Sequence, residues 1–434
     1  MSITSPVFLS LYLPLVPLGL LLLQKMAPEN LLLRKLWLLL FSATFIVLSD
    51  LQTWWILAVL MLLACLLPRF GKKGDMLLIV GSVLLLVGMK LFHTSSWPVG
   101  LSFVTLQVIA LAVETMRSQK PATPLDTLTY LSFYPKLSAG PLDRPGCFVQ
   151  TLNGLHITVE DLERGLTRFV LGLSKKLLIA DKLSPVLEAC YGGQHPFLSV
   201  GALVLAPLVI YFDFSGYADM ACGMAQMLGM SLQENFDHPF RADSMRNFWK
   251  RWHITLSRFL MEMIYFPLGG SRKGERRTIL NLLIVFLISG LWHGFTGCYL
   301  AFGLCHAALV IVEHKGWLRP AAWKPWLWRC YVLLGIALPF VIFMAPSLSV
   351  VGQCFAGFVK WSQPLSECHQ ALLLLTPDRL IMLAVAMLSA PLVKLWQRIS
   401  TQDFPRRAVI MALLVICYCY ALSSGYSLPL YASF

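Results

Sequence analysis

Two histidines stand where an acid–base side chain is costly to keep. His293 lies in Leu291-Trp292-His293-Gly294, at the end of an apolar stretch that begins near Thr278. About 15 residues at ~1.5 Å each reach roughly 22 Å, short of a ~30 Å hydrocarbon core, so His293 is expected within the membrane thickness. At that depth it is either a proton-transfer group or a hydrogen-bonded packing histidine. His253 lies in Phe248-Trp249-Lys250-Arg251-Trp252-His253-Ile254-Thr255-Leu256-Ser257. On one helix Lys250, His253 and Ser257 share a face, and Arg251, Thr255 and Arg258 form a second polar stripe. Such a surface suits a phosphate-bearing cofactor or carrier, or equally a basic helix resting on anionic lipid headgroups.

Other polar residues allow weaker statements. Phe266-Pro267-Leu268-Gly269-Gly270-Ser271-Arg272 is either an anion-cradling loop or a plain turn between helices; it lacks the spacing of a phosphate-binding P-loop. Asp213, Ser215 and Asp219 end an apolar run, where buried carboxylates need partners: they orient a histidine, bind a cation or pair with a nearby Arg. Glu234, Asn235, Asp237 and His238 have no recognised metal spacing, and no metal is expected. Cys298 and Cys305 are either acyl-accepting nucleophiles near His293 or packing thiols.

The elements that must hold these groups are membrane helices. The 434 residues are 57% hydrophobic and 13% charged, about half the charge share of a soluble domain. Apolar runs of spanning length recur at roughly 6–23, 33–49, 53–68, 76–92, 100–116, 197–212, 278–293, 298–312, 327–346, 380–396 and 408–426. The first run has no Lys or Arg before it, so a retained helix is expected rather than a cleavable signal. Residues 126–140 are apolar but short, and 161–182 read as an amphipathic helix. Residues 241–277 carry nine Lys/Arg against three Asp/Glu, too polar to span, and are expected to form a cytoplasm-facing or re-entrant stretch.

The formal net charge of +13 follows from Lys and Arg in cytoplasmic loops rather than from nucleic-acid binding. Lys25, Arg34 and Lys35, then Arg69, Lys72 and Lys73, then Arg117 and Lys120 alternate with basic-poor connections around Asp50 and His93–Gly100. Lys315, Arg319, Arg398, Arg406 and Arg407 continue the pattern. Both termini are therefore expected outside the cytoplasm. The eleven cysteines show no metal-type pair and are expected as buried free thiols. No internal repeat or low-complexity segment is visible, and residues 1–434 are expected to form a single membrane domain.

The ordered strings "FDFSGYADMACG", "ENFDHPFRADSMRNFWKRWHITLSRF", "YFPLGG", "GLWHG" and "GLCHA", with "LSFVTLQVIALAVETMR" and "LSFYPKLSAGPLDRP" upstream, resemble the membrane-bound O-acyltransferases. Within that family they are most similar to a bacterial subgroup that O-acetylates alginate or transfers D-alanine to teichoic acid. The resemblance covers about residues 100–310. It implies an all-α polytopic bundle of roughly 11 transmembrane helices, with re-entrant or amphipathic helices around a central funnel. It makes His293 the expected catalytic residue and His253 a second characteristic one. Lys250, Arg251, Trp252, Ser257, Asp213, Asn281 and Trp292 are the expected donor- or substrate-binding candidates. Alginate-type proteins carry Arg-Asp-Tyr where this chain has Met261-Glu262-Met263. "GPLDRP" is closer to the D-alanine type and "YFPLGG" to the acetyl type, so the acyl group stays open.

The resemblance further implies no tightly bound cofactor. The donor is an acyl thioester presented from the cytoplasm, on coenzyme A (acetyl-CoA) or on the phosphopantetheine of an acidic acyl or D-alanyl carrier protein. The acceptor is an exported glycan or an extracytoplasmic acyltransferase partner, and the setting is the lipid of the cytoplasmic (inner) membrane. A multi-pass transporter, or a non-enzymatic scaffold of a polysaccharide export complex, are the other classes compatible with intramembrane histidines and broken helices.

Overall fold

Apolar residues repeat without a polar face along most of the chain, and helices result because lipid leaves no other partner for backbone N–H and C=O groups. The computed structural model describes residues 1–92, 98–319, 323–389 and 403–423. Among these the fold is all helical, with one isolated bridge between Phe236 and Trp252. Contacts cluster into two units. One comprises residues 1–174, 214–234 and 407–434; the other comprises 175–213 and 235–406.

The first unit contains α1 (Leu13–Met26), α2 (Leu31–Ser49), α3 (Trp54–Leu66), α4 (Gly71–Leu91), α5 (Leu101–Ser118), α6 (Pro124–Ser132), α7 (Pro145–Asn153) and α8 (Val159–Ser174). The second contains α9 (Asp181–Cys190), then the first part of α10 (Pro196–Met227), whose residues from Phe214 onward belong to the first unit. It continues with α11 (Met245–Arg251), α12 (Ile254–Leu260), α13 (Glu275–His293), α14 (Gly297–His314), α15 (Pro325–Met344), α16 (Leu348–Gly357), α17 (His369–Leu374) and α18 (Pro377–Met387). The final helix is α19 (Asp403–Ser423), whose residues from Arg407 onward belong to the first unit.

Among the described residues eight helices are long and apolar enough to cross a membrane, or nine if the pair Leu365–Leu374 and Pro377–Met387, bent by 85°, counts as one span. The chain is therefore polytopic, with fewer such helices than the eleven runs expected. The runs 53–68 and 76–92 join through a 3-10 turn, Leu67–Phe70, into one helical stretch, Trp54–Leu91. The run 278–293 belongs to a helix that opens with Glu275, Arg276 and Arg277 and is not among the eight. The expected span 380–396 and Arg398 lie partly or wholly outside the described residues.

Two basic residues read as loop markers are structural. In the first turn of α2, Arg34 donates to the Leu155 carbonyl at 2.6 Å, and Lys35 pairs with Asp126 at 2.7 Å and Asn153 at 2.6 Å. The short apolar stretch after α6 is an irregular, fully buried segment. Lys136 there sits 3.7 Å from the Tyr130 ring centre and 4.4 Å from that of Phe148. A Cβ at Gly140 would lie 2.3 Å from Lys136 Cα, so only glycine permits the tuck. The amphipathic 161–182 stretch is α8 followed by a π turn, Lys175–Ala180.

Candidate acyl-transfer site

The second unit contains the candidate site, built on the hairpin of α13 and α14. Gly294–Thr296 joins the two helices, and the Thr296 hydroxyl accepts from Tyr299 N at 3.4 Å to start α14. The helices cross at backbone contact. A Cβ on Gly290 would lie 2.4 Å from the Tyr299 carbonyl oxygen, and one on Gly303 would lie 2.5 Å from that of Phe286. In both helices of the hairpin the sequence reads Gly-Leu-x-His, at 290–293 and at 303–306. Each glycine therefore fixes the face on which its histidine, one turn later, is presented.

His293 is the last residue of α13 and is 4% exposed. Its ring meets Trp292 at 4.8 Å, Phe343 edge-on at 5.0 Å, Tyr299 at 6.0 Å and Phe302 at 6.3 Å. An imidazole in this aromatic wall is held in one orientation and shielded from bulk water. Trp292 also approaches His253, with ring centres 6.4 Å apart, so one indole contacts both histidines.

His253 does not continue a helix. It separates α11 from α12 with φ 45° and ψ 51°, the left-handed region that non-glycine residues rarely occupy. Asn235 braces the break: its carbonyl accepts from Ile254 N at 3.0 Å and its side chain from the Thr255 hydroxyl at 2.6 Å. The expected single face of Lys250, His253 and Ser257 is therefore broken by the reversal at His253. Burial pushes the His253 imidazole down to about 3. Burial favours the uncharged ring, so His253 sits inside the protein rather than on a cationic surface.

A cavity of about 560 Å³ opens beside these helices. From α13 it is lined by Thr278, Leu282, Val285, Phe286 and Ser289. That spacing marks one helix face over 11 residues, about 16 Å of rise. Ser289 lies one turn before His293, on the same face. Trp249, Leu256, Met261 and Tyr265 complete apolar walls, while Arg246, Lys250, Ser257, Arg258, Ser271 and His314 supply polar groups.

Several other expected site residues have structural partners instead. Trp252 is 1% exposed and packs among Phe236, Phe248 and Phe340, with ring centres 5.1, 5.5 and 4.8 Å away; Trp249 is the cavity tryptophan. Arg251 pairs with Asp237 at 2.8 Å and with the Asn247 side chain. Asp213 is fully buried and pairs with Lys176 at 2.8 Å, which also holds Asp181 at 2.5 Å. Asp219, in the first unit, pairs with Arg168, which also holds Glu234. Asn281 donates to the Gly270 carbonyl at 2.9 Å and so pins the 266–272 turn. In that turn the N–H groups of Gly269, Gly270 and Arg272 are donated internally, to Phe266, Tyr265 and Gly269, leaving a turn rather than an anion cradle.

The eleven cysteines are free; six are buried, but Cys147, Cys330 and Cys419 are exposed. His306 had no assigned role in the sequence. It is fully buried and ringed by Trp249, Phe286 and Phe302, and neither ring nitrogen has a hydrogen-bond partner among the described residues. The repeated Gly-Leu-x-His was the available signal for it.

The family model of the membrane-bound O-acyltransferases, MBOAT, matches residues 38–355, and the chain belongs to this family. Among curated relatives, "Probable alginate O-acetylase AlgI" of Pseudomonas fluorescens is 36% identical over 284 residues, covering 63% of this chain and 57% of that protein. "Peptidoglycan O-acetyltransferase" of Helicobacter pylori is 33% identical, over 50% of this chain and 47% of the relative. "Teichoic acid D-alanyltransferase" of Bacillus subtilis is 27% identical, over 56% and 66% respectively. The chain thus matches about half to two thirds of the length of these relatives.

Proposed function

We propose that the protein is a membrane O-acyltransferase that moves an acetyl or D-alanyl group from a cytoplasmic thioester to a hydroxyl of an exported cell-envelope polymer, or to a partner protein that completes the transfer. The observation that carries this is the cavity along α13. Its basic edge at Arg246, Lys250 and Arg258 suits the phosphate end of a phosphopantetheine arm, and its apolar walls suit the arm itself. It reaches Ser289, one turn from His293.

In this reading neutral His293 accepts the proton of the acceptor hydroxyl as that oxygen attacks the thioester carbonyl. The C–S bond breaks, the thiolate leaves, and the proton on His293 passes to the sulfur to give the thiol. A thiolate leaves readily, so no enzyme nucleophile is needed. Trp292, Phe343 and Tyr299 hold the imidazole and limit hydrolysis by water. His253, neutral and in contact with Trp292, steadies that wall. The protein lies in the bacterial inner membrane with both termini outside the cytoplasm, and the basic 241–277 segment faces the donor.

Purified protein supplied with a labelled acyl thioester and an envelope-polymer extract should transfer label. His293→Ala should lower the rate by about 100- to 10,000-fold while the protein stays folded. Undiminished transfer by a folded His293→Ala variant would remove His293 from the chemistry.

A further inference from the structure

The proton transfer at His293 does not involve His306, yet His306 stands where a polar side chain is hard to keep. It lies nine residues beyond Gly297, the first residue of α14, in a helix long and apolar enough to span. That is about 14 Å along the helix, near the middle of a ~30 Å core. It is fully buried, and neither ring nitrogen has a hydrogen-bond partner among the described residues. Phe248 and Phe286 stack on it at 6.1 and 6.3 Å between ring centres, and Phe302 and Phe340 meet it edge-on at 4.7 and 6.2 Å. A phenyl ring would fill this aromatic nest without burying two unbonded polar atoms, which cost free energy. Stability alone does not account for the imidazole, and an ionisable side chain at this depth points to function.

Trp249 carries the matching group. Its indole Nε1 is also shielded, with no hydrogen-bond partner among the described residues. The two rings lie 4.9 Å apart at 83°. An unspent donor thus neighbours an unspent acceptor, and rotation of the indole about its side-chain bonds brings them together. Trp249 and Phe286 line the cavity along α13, and His306 sits behind them. On its other side His306 meets Phe302, whose ring lies 4.9 Å from Phe343 and 6.3 Å from His293. Trp249, His306 and Phe302 therefore form a continuous line of rings from the cavity wall to the wall that holds His293.

Resting on the acyltransferase reading, we propose that His306 is a positioning residue for the transfer: when an acyl arm fills the cavity, the Trp249 indole N–H turns to donate to the His306 imidazole, and the ordered pair sets Phe302 against His293. His306 touches neither donor nor acceptor. Its bond to Trp249 is made in the loaded state, so it contributes to turnover and not to the stability of the empty protein. A slightly misplaced His293 loses rate more than affinity. The hairpin suits this coupling, since Gly290 and Gly303 bring the helices that carry the two histidines to backbone contact.

The test compares wild type with His306→Phe, Trp249→Phe and the double variant, by thermal unfolding in detergent and by kinetics with a labelled acyl thioester. His306→Phe should melt at or above the wild-type temperature, because it removes two unbonded polar atoms. Its kcat should fall about tenfold while the donor KM changes less than about threefold. His306→Asn and His306→Gln place an amide oxygen near the positions of Nδ1 and Nε2, and at least one of them should recover part of the lost kcat. Trp249→Phe keeps an aromatic wall without the N–H and should lower kcat by a similar factor, and the double variant should be no slower than the slower single one. A His306→Phe variant that melts below wild type yet turns over at the wild-type rate would mark a packing histidine. Losses that multiply in the double variant would show that the two rings act independently. Either result would overturn the inference while leaving acyl transfer intact, whereas absence of transfer by wild type would overturn the acyltransferase reading beneath it.

Discussion

Lys176 shows how a single residue is kept charged in an apolar setting. Burial works against its charge, yet Asp213 and Asp181 outweigh it and hold its pKa above the ordinary lysine value. Removing one partner of such a buried pair strands the other. Lys176→Met should therefore cost about 3–5 kcal/mol, and Lys176→Met combined with Asp213→Leu should recover much of it. Thermal unfolding in detergent measures both, and equal losses in the single and double variants would contradict the pairing. His253 presents the opposite case, a group kept neutral. Its pKa falls from 6.5 to about 3 on burial, so between those values the unfolded chain binds a proton that the folded chain does not. Stability then rises with pH across that window and is lost as pH falls below about 6.5, by up to ~1.4 kcal/mol per pH unit. His253→Asn tolerates the left-handed backbone and removes the titration. Its melting temperature should fall less steeply than that of wild type between pH 7 and 5, and identical slopes would place the proton-sensitive group elsewhere.

At the scale of elements, the α13–α14 hairpin depends on two missing Cβ atoms. The nearest atoms at Gly290 and Gly303 are backbone carbonyls of the facing helix, which cannot swing aside as a side-chain end can. Gly303→Ala should push the helices apart, cost about 1–3 kcal/mol by overpacking, and shift His293 enough to lower turnover. Gly81→Ala, in α4 with nothing within 4 Å of the added carbon, should be neutral or slightly stabilising through helix propensity. Thermal melts and transfer rates of the two variants separate crowding from a general intolerance of alanine. Much of this level was readable in advance. The polar 241–277 segment breaks into α11, α12 and a π turn, and the apolar 298–312 run is α14. The reversal at His253 was not legible, because it is stabilised by Asn235, a residue outside the basic 241–277 segment.

For the molecule as a whole, orientation in the membrane is the property most open to direct measurement. Single cysteines replacing Lys120 and Lys315, in a background lacking the native cysteines, should react with a membrane-impermeant thiol reagent only after cells are opened. Labelling of intact cells at either position would invert the proposed topology. Composition and apolar run length were sufficient for the class of protein, a polytopic helical membrane chain, because the cost of exposing backbone polar groups to lipid acts on every segment alone. The order of the motifs was sufficient for the family, and His293 stood out because it closes an apolar stretch. Tertiary structure alone decided which neighbours became partners. It put Trp249 rather than Trp252 at the cavity, tied Asp213 to Lys176, turned Asn281 to a loop carbonyl and gathered His306 among aromatic rings. Hydropathy is a sum over local residues, whereas burial and pairing depend on segments far apart in the chain, whose approach leaves little trace in the spacing of either.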